Sequence, residues 1–127
     1  MEGYQVKRQL LQSKLKAAEE SINIMANFGS DFNCPIRKLA EQDLIRIWVY
    51  QFKLFGAEKA DEALRSMFSS FERLIKNPHL GEKRDDVKNG YYCFRQDGYL
   101  IFYTMADDGV DVVAILPQSM DVIDYLR

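Results

Sequence analysis

Histidine is nearly absent from this chain, with one in 127 residues, His79. A histidine-assisted serine or cysteine nucleophile would have to use that single side chain as its base. No motif around it supports this, and its place after Asn77-Pro78 reads as a solvent-exposed turn. Cysteine is almost as scarce, at two. Cys34 and Cys93 are too few for a disulfide scaffold, and their spacing matches no zinc pattern. Cys93 falls in a strand pattern, where a thiol packs as a small apolar group. The glycine patterns of phosphate and dinucleotide loops are missing, so neither metal nor cofactor is expected. No apolar run reaches the roughly 18 residues of a membrane span. The polar start Met1-Glu2-Gly3-Tyr4-Gln5-Val6-Lys7-Arg8 has no apolar signal core behind it. A cytoplasmic protein without a membrane partner is expected. Positive charge is not in excess either, since the formal net charge is −2. The densest basic clusters are Lys7-Arg8 and Lys83-Arg84, and Asp85-Asp86 follow the second at once. Direct sequence-specific binding to nucleic acid is therefore not expected.

What the chain does have is enough apolar content, 47%, to build one core. Residues 5–25 show apolar positions Val6, Leu10, Ile22 and Met25 at helical steps, with Lys14, Lys16, Glu19 and Glu20 opposite. Asn27-Phe28-Gly29-Ser30-Asp31 reads as a stop and linker. Cys34-Pro35-Ile36-Arg37-Lys38 reads as a short extended stretch. A helix over 39–55 follows, apolar on nearly every side, with at least two stripes to cover. Gly56 ends it. A second helix over 57–76 has one clean apolar face, and Asn77-Pro78 stops it. The one-residue hinge makes the pair an antiparallel hairpin.

The period then changes from 3.6 to 2. Segments 91–95, 99–105 and 110–116 are rich in aromatic and β-branched residues. Asp97-Gly98 and Asp108-Gly109 are hairpin turn signals, which makes the three segments an antiparallel meander. Residues 119–126 read as a short closing helix capped by Ser119. Tyr91, Tyr92, Tyr99 and Tyr103 could stack nucleobases, but packing within and on the sheet is the plainer reading. Asp85, Asp86, Asp107, Asp108, Asp121 and Asp124 read as turn and loop residues rather than acid–base pairs.

Landmarks from residue 36 onward carry a family resemblance. They are Leu39-Ala40-Glu41-Gln42-Asp43-Leu44, Trp48, Phe55-Gly56, Asn77-Pro78-His79-Leu80-Gly81, Gly90-Tyr91, Ile101-Phe102-Tyr103 and Ile115-Leu116-Pro117-Gln118-Ser119-Met120-Asp121. In order and spacing, over residues 36–127, they resemble the ParE toxins of bacterial type II toxin–antitoxin modules, within the RelE/ParE superfamily. The resemblance implies an α+β fold, with the two-helix antiparallel hairpin packed on a small twisted antiparallel sheet. The N-terminal amphipathic helix is an addition to it. It also implies a non-enzymatic toxin that binds and inhibits DNA gyrase and is neutralised by a ParD-type antitoxin laid on the hairpin. Leu44, Ile47, Trp48, Phe52 and Phe55 are the residues expected to meet that antitoxin, or the N-terminal arm. Arg84, Tyr91, Arg95, Gln118, Met120 and Asp121 are the expected target-binding set.

The same superfamily offers a second reading, a RelE-like ribosome-dependent mRNA endoribonuclease. Its catalytic set here would be Lys83, Arg84, Arg95 and Tyr125. A third is an inactive or self-neutralised protein that keeps the fold and only binds. Two positions depart from the family pattern: Ala114 stands where many relatives have arginine, and Pro117 where they often have histidine. Residues 1–33 resemble the tail of a ParD-type antitoxin. The expected organisation is therefore an arm and linker, 1–33, and a toxin domain, 34–127. Residues 4–28 are expected either to cover the hairpin of the same or a neighbouring molecule, as an antitoxin would, or to be an ordinary additional helix that completes the core or a homo-oligomer interface.

Overall fold

A computed structural model describes residues 12, 13, 15–23, 36–107 and 109–120. Helix α1 is helical at 12, 13 and 15–23. Helix α2 spans Lys38–Phe55 and α3 spans Ala57–Lys76. A single 3-10 turn, Pro78–Leu80, leads into four strands: β1 Glu82–Lys83, β2 Tyr91–Gln96, β3 Tyr99–Ala106 and β4 Gly109–Pro117. They pair antiparallel in the order β1-β2-β3-β4. The expected hairpin and meander are present, and β1 is an element that sequence pattern missed. Of the expected extended stretch 34–38, Cys34 and Pro35 lie outside the described residues, Ile36 makes an isolated parallel bridge with Val112, Arg37 has extended backbone, and Lys38 already opens the helix. Ser119 lies in a turn, and the rest of the expected closing helix falls outside the described residues.

Local chemistry accounts for the boundaries. Gly56 has φ +93°, a conformation that costs a residue without Cβ little, so α2 stops and α3 starts across one residue. Between β2 and β3, Asp97 and Gly98 both have positive φ, which suits a tight two-residue hairpin. Along β2 and β3 the side chains alternate. Tyr92, Phe94, Ile101 and Tyr103 join α1, α2 and α3 in one cluster, while Tyr91, Cys93, Leu100 and Phe102 form a second cluster on the other face. A register shift between Phe102 and Tyr103 inserts Val113 into β4, so Val113 and Ala114 both belong to the second cluster. The sheet is thus apolar on both faces, which explains why β4 reads as a nearly unbroken apolar run.

Tyr103 pins the α3–β1 connection to the sheet. Its hydroxyl donates to the Pro78 carbonyl at 2.7 Å and accepts the Gly81 N–H at 2.9 Å. The ring is fully buried and stacks on Tyr92 at 5.6 Å. Tyr103→Phe leaves both backbone groups unpaired and is expected to cost about 1–3 kcal/mol, measured by urea unfolding. Burial raises the Tyr103 phenol above its ordinary value of 10.0. The folded pKa thus exceeds the unfolded one, so this contribution is complete below the unfolded value and declines as pH rises toward the folded one. The phenylalanine variant should therefore lose stability less steeply above that pH than the parent.

Candidate functional site

Two surfaces bring the candidate residues together. The first lies on the helical hairpin. Leu44, Ile47 and Trp48 are buried in the main core, so they do not present an open face. Helix α2 is covered over a broad arc, by the sheet, by α3 and by α1. Phe52 is half-buried and stacks on Trp48 at 5.0 Å. Phe55 is 63% exposed, and Tyr50 and Leu54 are also largely exposed. The largely exposed apolar side chains of α2 are therefore Tyr50, Leu54 and Phe55, of which sequence reasoning picked only Phe55. The other two were missed because periodicity finds stripes but cannot say which stripe the sheet takes. A groove of about 530 Å³ has Ile47, Tyr50 and Gln51 on one wall and Tyr99, Pro117 and Met120 on the other.

Helix α1 sits on the same hairpin. Ala18 and Ile22 are buried in the common core, at 0% and 5% exposure. Asp61 of α3 is the joint: its Oδ1 accepts from Trp48 Nε1–H at 2.9 Å and from Ser21 Oγ–H at 3.0 Å. One carboxylate oxygen thereby ties three helices together.

The second surface is a groove of about 420 Å³ on the outer face of the sheet. Arg84, Arg95 and Gln118, three of the six target-binding candidates, line it together with Glu82 and Cys93. Tyr91 is buried in the outer cluster rather than displayed. Met120 is half-buried against that cluster, and Asp121 lies outside the described residues. Arg84 is already engaged. Its Nε and Nη2 donate to Asp86 Oδ1 and Oδ2 at 2.9 and 3.0 Å. This bidentate pair raises the Arg84 pKa and holds the Asp86 carboxyl below its usual range. Burial pushes the Cys93 thiol up, against the pull of Arg84 and Arg95, so it is a poor nucleophile at neutral pH.

The ribonuclease set does not assemble among the described residues. Arg84 and Arg95 share the groove, but Lys83 pairs with Tyr92 and alternates to the other side of the ribbon from Glu82 and Arg84. Tyr125 lies outside the described residues. Ala114, where the resemblance led to an expectation of arginine, is fully buried in the outer cluster. Pro117, where the resemblance led to an expectation of histidine, is exposed at the end of β4. His79 is exposed in the 3-10 turn, edge-on to Tyr92 at 6.3 Å. Among the described residues there is no group of three His, Cys, Asp or Glu side chains placed to hold a metal, and no helix long and apolar enough to cross a membrane.

Known proteins share this architecture and sequence. Residues 36–122 match the family described as "ParE toxin of type II toxin-antitoxin system, parDE". Toxin ParE1 of Mycobacterium tuberculosis is 31% identical over 84 residues, covering 65% of this chain and 86% of that protein. Toxin ParE1 of Caulobacter vibrioides is 25% identical over 91 residues, covering 72% of this chain and 94% of that one. A solved chain of a chromosomal ParDE toxin–antitoxin system from P. aeruginosa superposes with a TM-score of 0.58 at 17% identity, covering 66% of this chain and 92% of the other. At that identity the likeness concerns the fold alone. The family match and the sequence relatives carry the assignment: the chain belongs to the ParE toxin family of type II toxin–antitoxin systems.

Proposed function

We propose that this chain acts as the toxin of a type II toxin–antitoxin pair, inhibiting DNA gyrase by protein–protein contact and neutralised by a ParD-type antitoxin. The family match over residues 36–122 carries this reading. The surfaces support contact rather than catalysis: the helical hairpin carries exposed apolar side chains, and the groove on the sheet has its Arg84 charge-paired with Asp86. In this reading Arg95 and Gln118 meet the target, and Phe55, on the Trp48 side of α2, meets a helix of the antitoxin. Residues 34–127 form the toxin domain, and its setting is the cytoplasm.

The test is induction of the full chain in a bacterium, with the DNA-damage response and bulk translation followed together. Growth arrest with a DNA-damage response and initially intact translation is the expected result. Immediate loss of translation would replace gyrase by the ribosome and make the protein an endoribonuclease. No arrest would mean a toxin fold that only binds. Phe55→Glu is expected to change folding stability by less than about 0.5 kcal/mol, because the side chain is exposed. It should weaken the complex with the antitoxin by about 2 kcal/mol, roughly thirtyfold, as titration calorimetry would show.

A further inference from the structure

Residues 12–23 lie outside the family match, which begins at residue 36. The ParE1 relatives of Mycobacterium tuberculosis and Caulobacter vibrioides align over 84 and 91 residues of a chain of 127. Yet here it is seated on the hairpin in a way that a helix-accepting surface would require. Ala18, Ser21 and Ile22 stand at i, i+3 and i+4, one face of α1. The two apolar members are buried in the core, and the hydroxyl between them donates to Asp61. Leu15 continues the same face but is 37% exposed, so the seat holds the C-terminal half of the described helix more closely than its start. Glu19, Glu20 and Asn23 face solvent.

We propose that residues 12–23 are a built-in cover: an amphipathic helix of the chain itself that occupies in cis the hairpin face an incoming partner helix would take. Any such helix must displace them first. The proposal rests on the toxin–antitoxin reading only for the identity of the incoming helix, which is that of a protein partner with small and aliphatic residues at i and i+4. Asp61 is the recognition group, since it accepts one hydrogen bond from the hairpin's own Trp48 and one from the arriving hydroxyl. A tethered helix of this kind competes at an effective concentration in the millimolar range. If the cover is in place 99% of the time, a helix added in trans binds about a hundredfold more weakly than it would to the open face.

Trp48 reports the event directly. It is the chain's only tryptophan, it is 2% exposed, and it shares Asp61 with Ser21. In the full chain, Ile22→Asp puts a charge into the core and should undock the cover. The expected result is a red-shifted and more quenchable Trp48 emission, with cooperative urea unfolding of the remainder retained. A synthetic peptide of residues 4–28 should bind this variant at least about ten times more tightly than the parent chain. Unchanged Trp48 emission, or equal peptide affinity for variant and parent, would overturn the proposal. If Ile22→Asp collapses the whole fold, Ser21→Ala decides. Tighter peptide binding than the parent keeps the cover, and unchanged binding makes α1 an ordinary core helix. None of these readouts depends on toxicity, so a failure of the gyrase reading leaves them intact.

Discussion

Replacing Gly81 by alanine is expected to remove about 3 kcal/mol of folding stability, read as a shift of the urea midpoint without a change of slope. The cause is space and not backbone conformation, because the residue lies in the extended region at φ −81°. A Cβ here would fall 2.5 Å from the Tyr103 hydroxyl oxygen and 2.7 Å from the Cys93 carbonyl oxygen. Neither can retreat easily. The Tyr103 ring is fully buried against Tyr92, and Cys93 is paired with Glu82 on one side and Phe102 on the other. The methyl group must therefore separate β1 from β2 or break both hydrogen bonds of Tyr103. Combining it with Tyr103→Phe removes one of the two close contacts but not the other. The double variant should lose less than the sum of the singles by about 1 kcal/mol, a coupling that a double-mutant cycle measures. A loss below about 0.5 kcal/mol for Gly81→Ala alone would show that the loop shifts freely and that Tyr103 is no pin.

Where one residue type serves one local purpose, the fold was legible in advance. Helix α3 has a single apolar face, so its ends at Ala57 and Lys76 follow from periodicity and from Asn77-Pro78. The Asp97-Gly98 turn follows from the positive φ that Asp-Gly tolerates. Strand β1 was not legible, because two charged residues, Glu82 and Lys83, show no period. Helix α2 was legible as a helix but not as a surface. With apolar residues all round, pattern alone could not separate the buried Leu44, Ile47 and Trp48 from the exposed Tyr50, Leu54 and Phe55. The tyrosines are a further case. Tyr91 and Tyr103 are buried and Tyr92 stacks on Tyr103, so they pack the sheet and do not form a platform for bases.

The candidate site shows the same division. That Arg84, Arg95 and Gln118 would converge depends on how β1 and the end of β4 meet β2 and β3, which no local pattern encodes. The Asp86 that neutralises Arg84 was visible two residues away, and so the thin basic character read from Lys83-Arg84-Asp85-Asp86 has a geometric counterpart. The polar residues that organise the interior, Asp43 and Asp61, were the least legible. A carboxylate on a helix reads as a solvated face until its partner in another element is known.

Asp43→Ala carries the second large expected loss, about 2–3 kcal/mol, because it orphans a buried donor far away in sequence. Asp43 is 2% exposed, and its Oδ2 accepts the N–H of Ile115 at 2.9 Å. Among the described residues strand β4 has no further strand beyond it, only the single bridge from Ile36 to Val112, so alternate N–H and C=O groups along it point away from β3. The chain entering α2 satisfies part of that edge. Arg37 N–H donates to the Val112 carbonyl at 3.0 Å, and Asp43 takes Ile115 one turn into the helix. Its Oδ1 also lies 3.3 Å from the Arg46 guanidinium, which is 58% exposed and so adds little by itself. The conservative change separates these contributions. Asp43→Asn keeps an oxygen for Ile115 and gives up the ion pair, turning an NH2 toward the exposed Arg46, which can swing away, so it should cost about 1 kcal/mol or less. If alanine and asparagine cost the same, the ion pair dominates and the strand contact is incidental. If alanine costs far more, Asp43 is what docks α2 on the sheet. The loss should then also show as faster hydrogen exchange at Ile115 than at the β2–β3 ladder, which α2 does not cap.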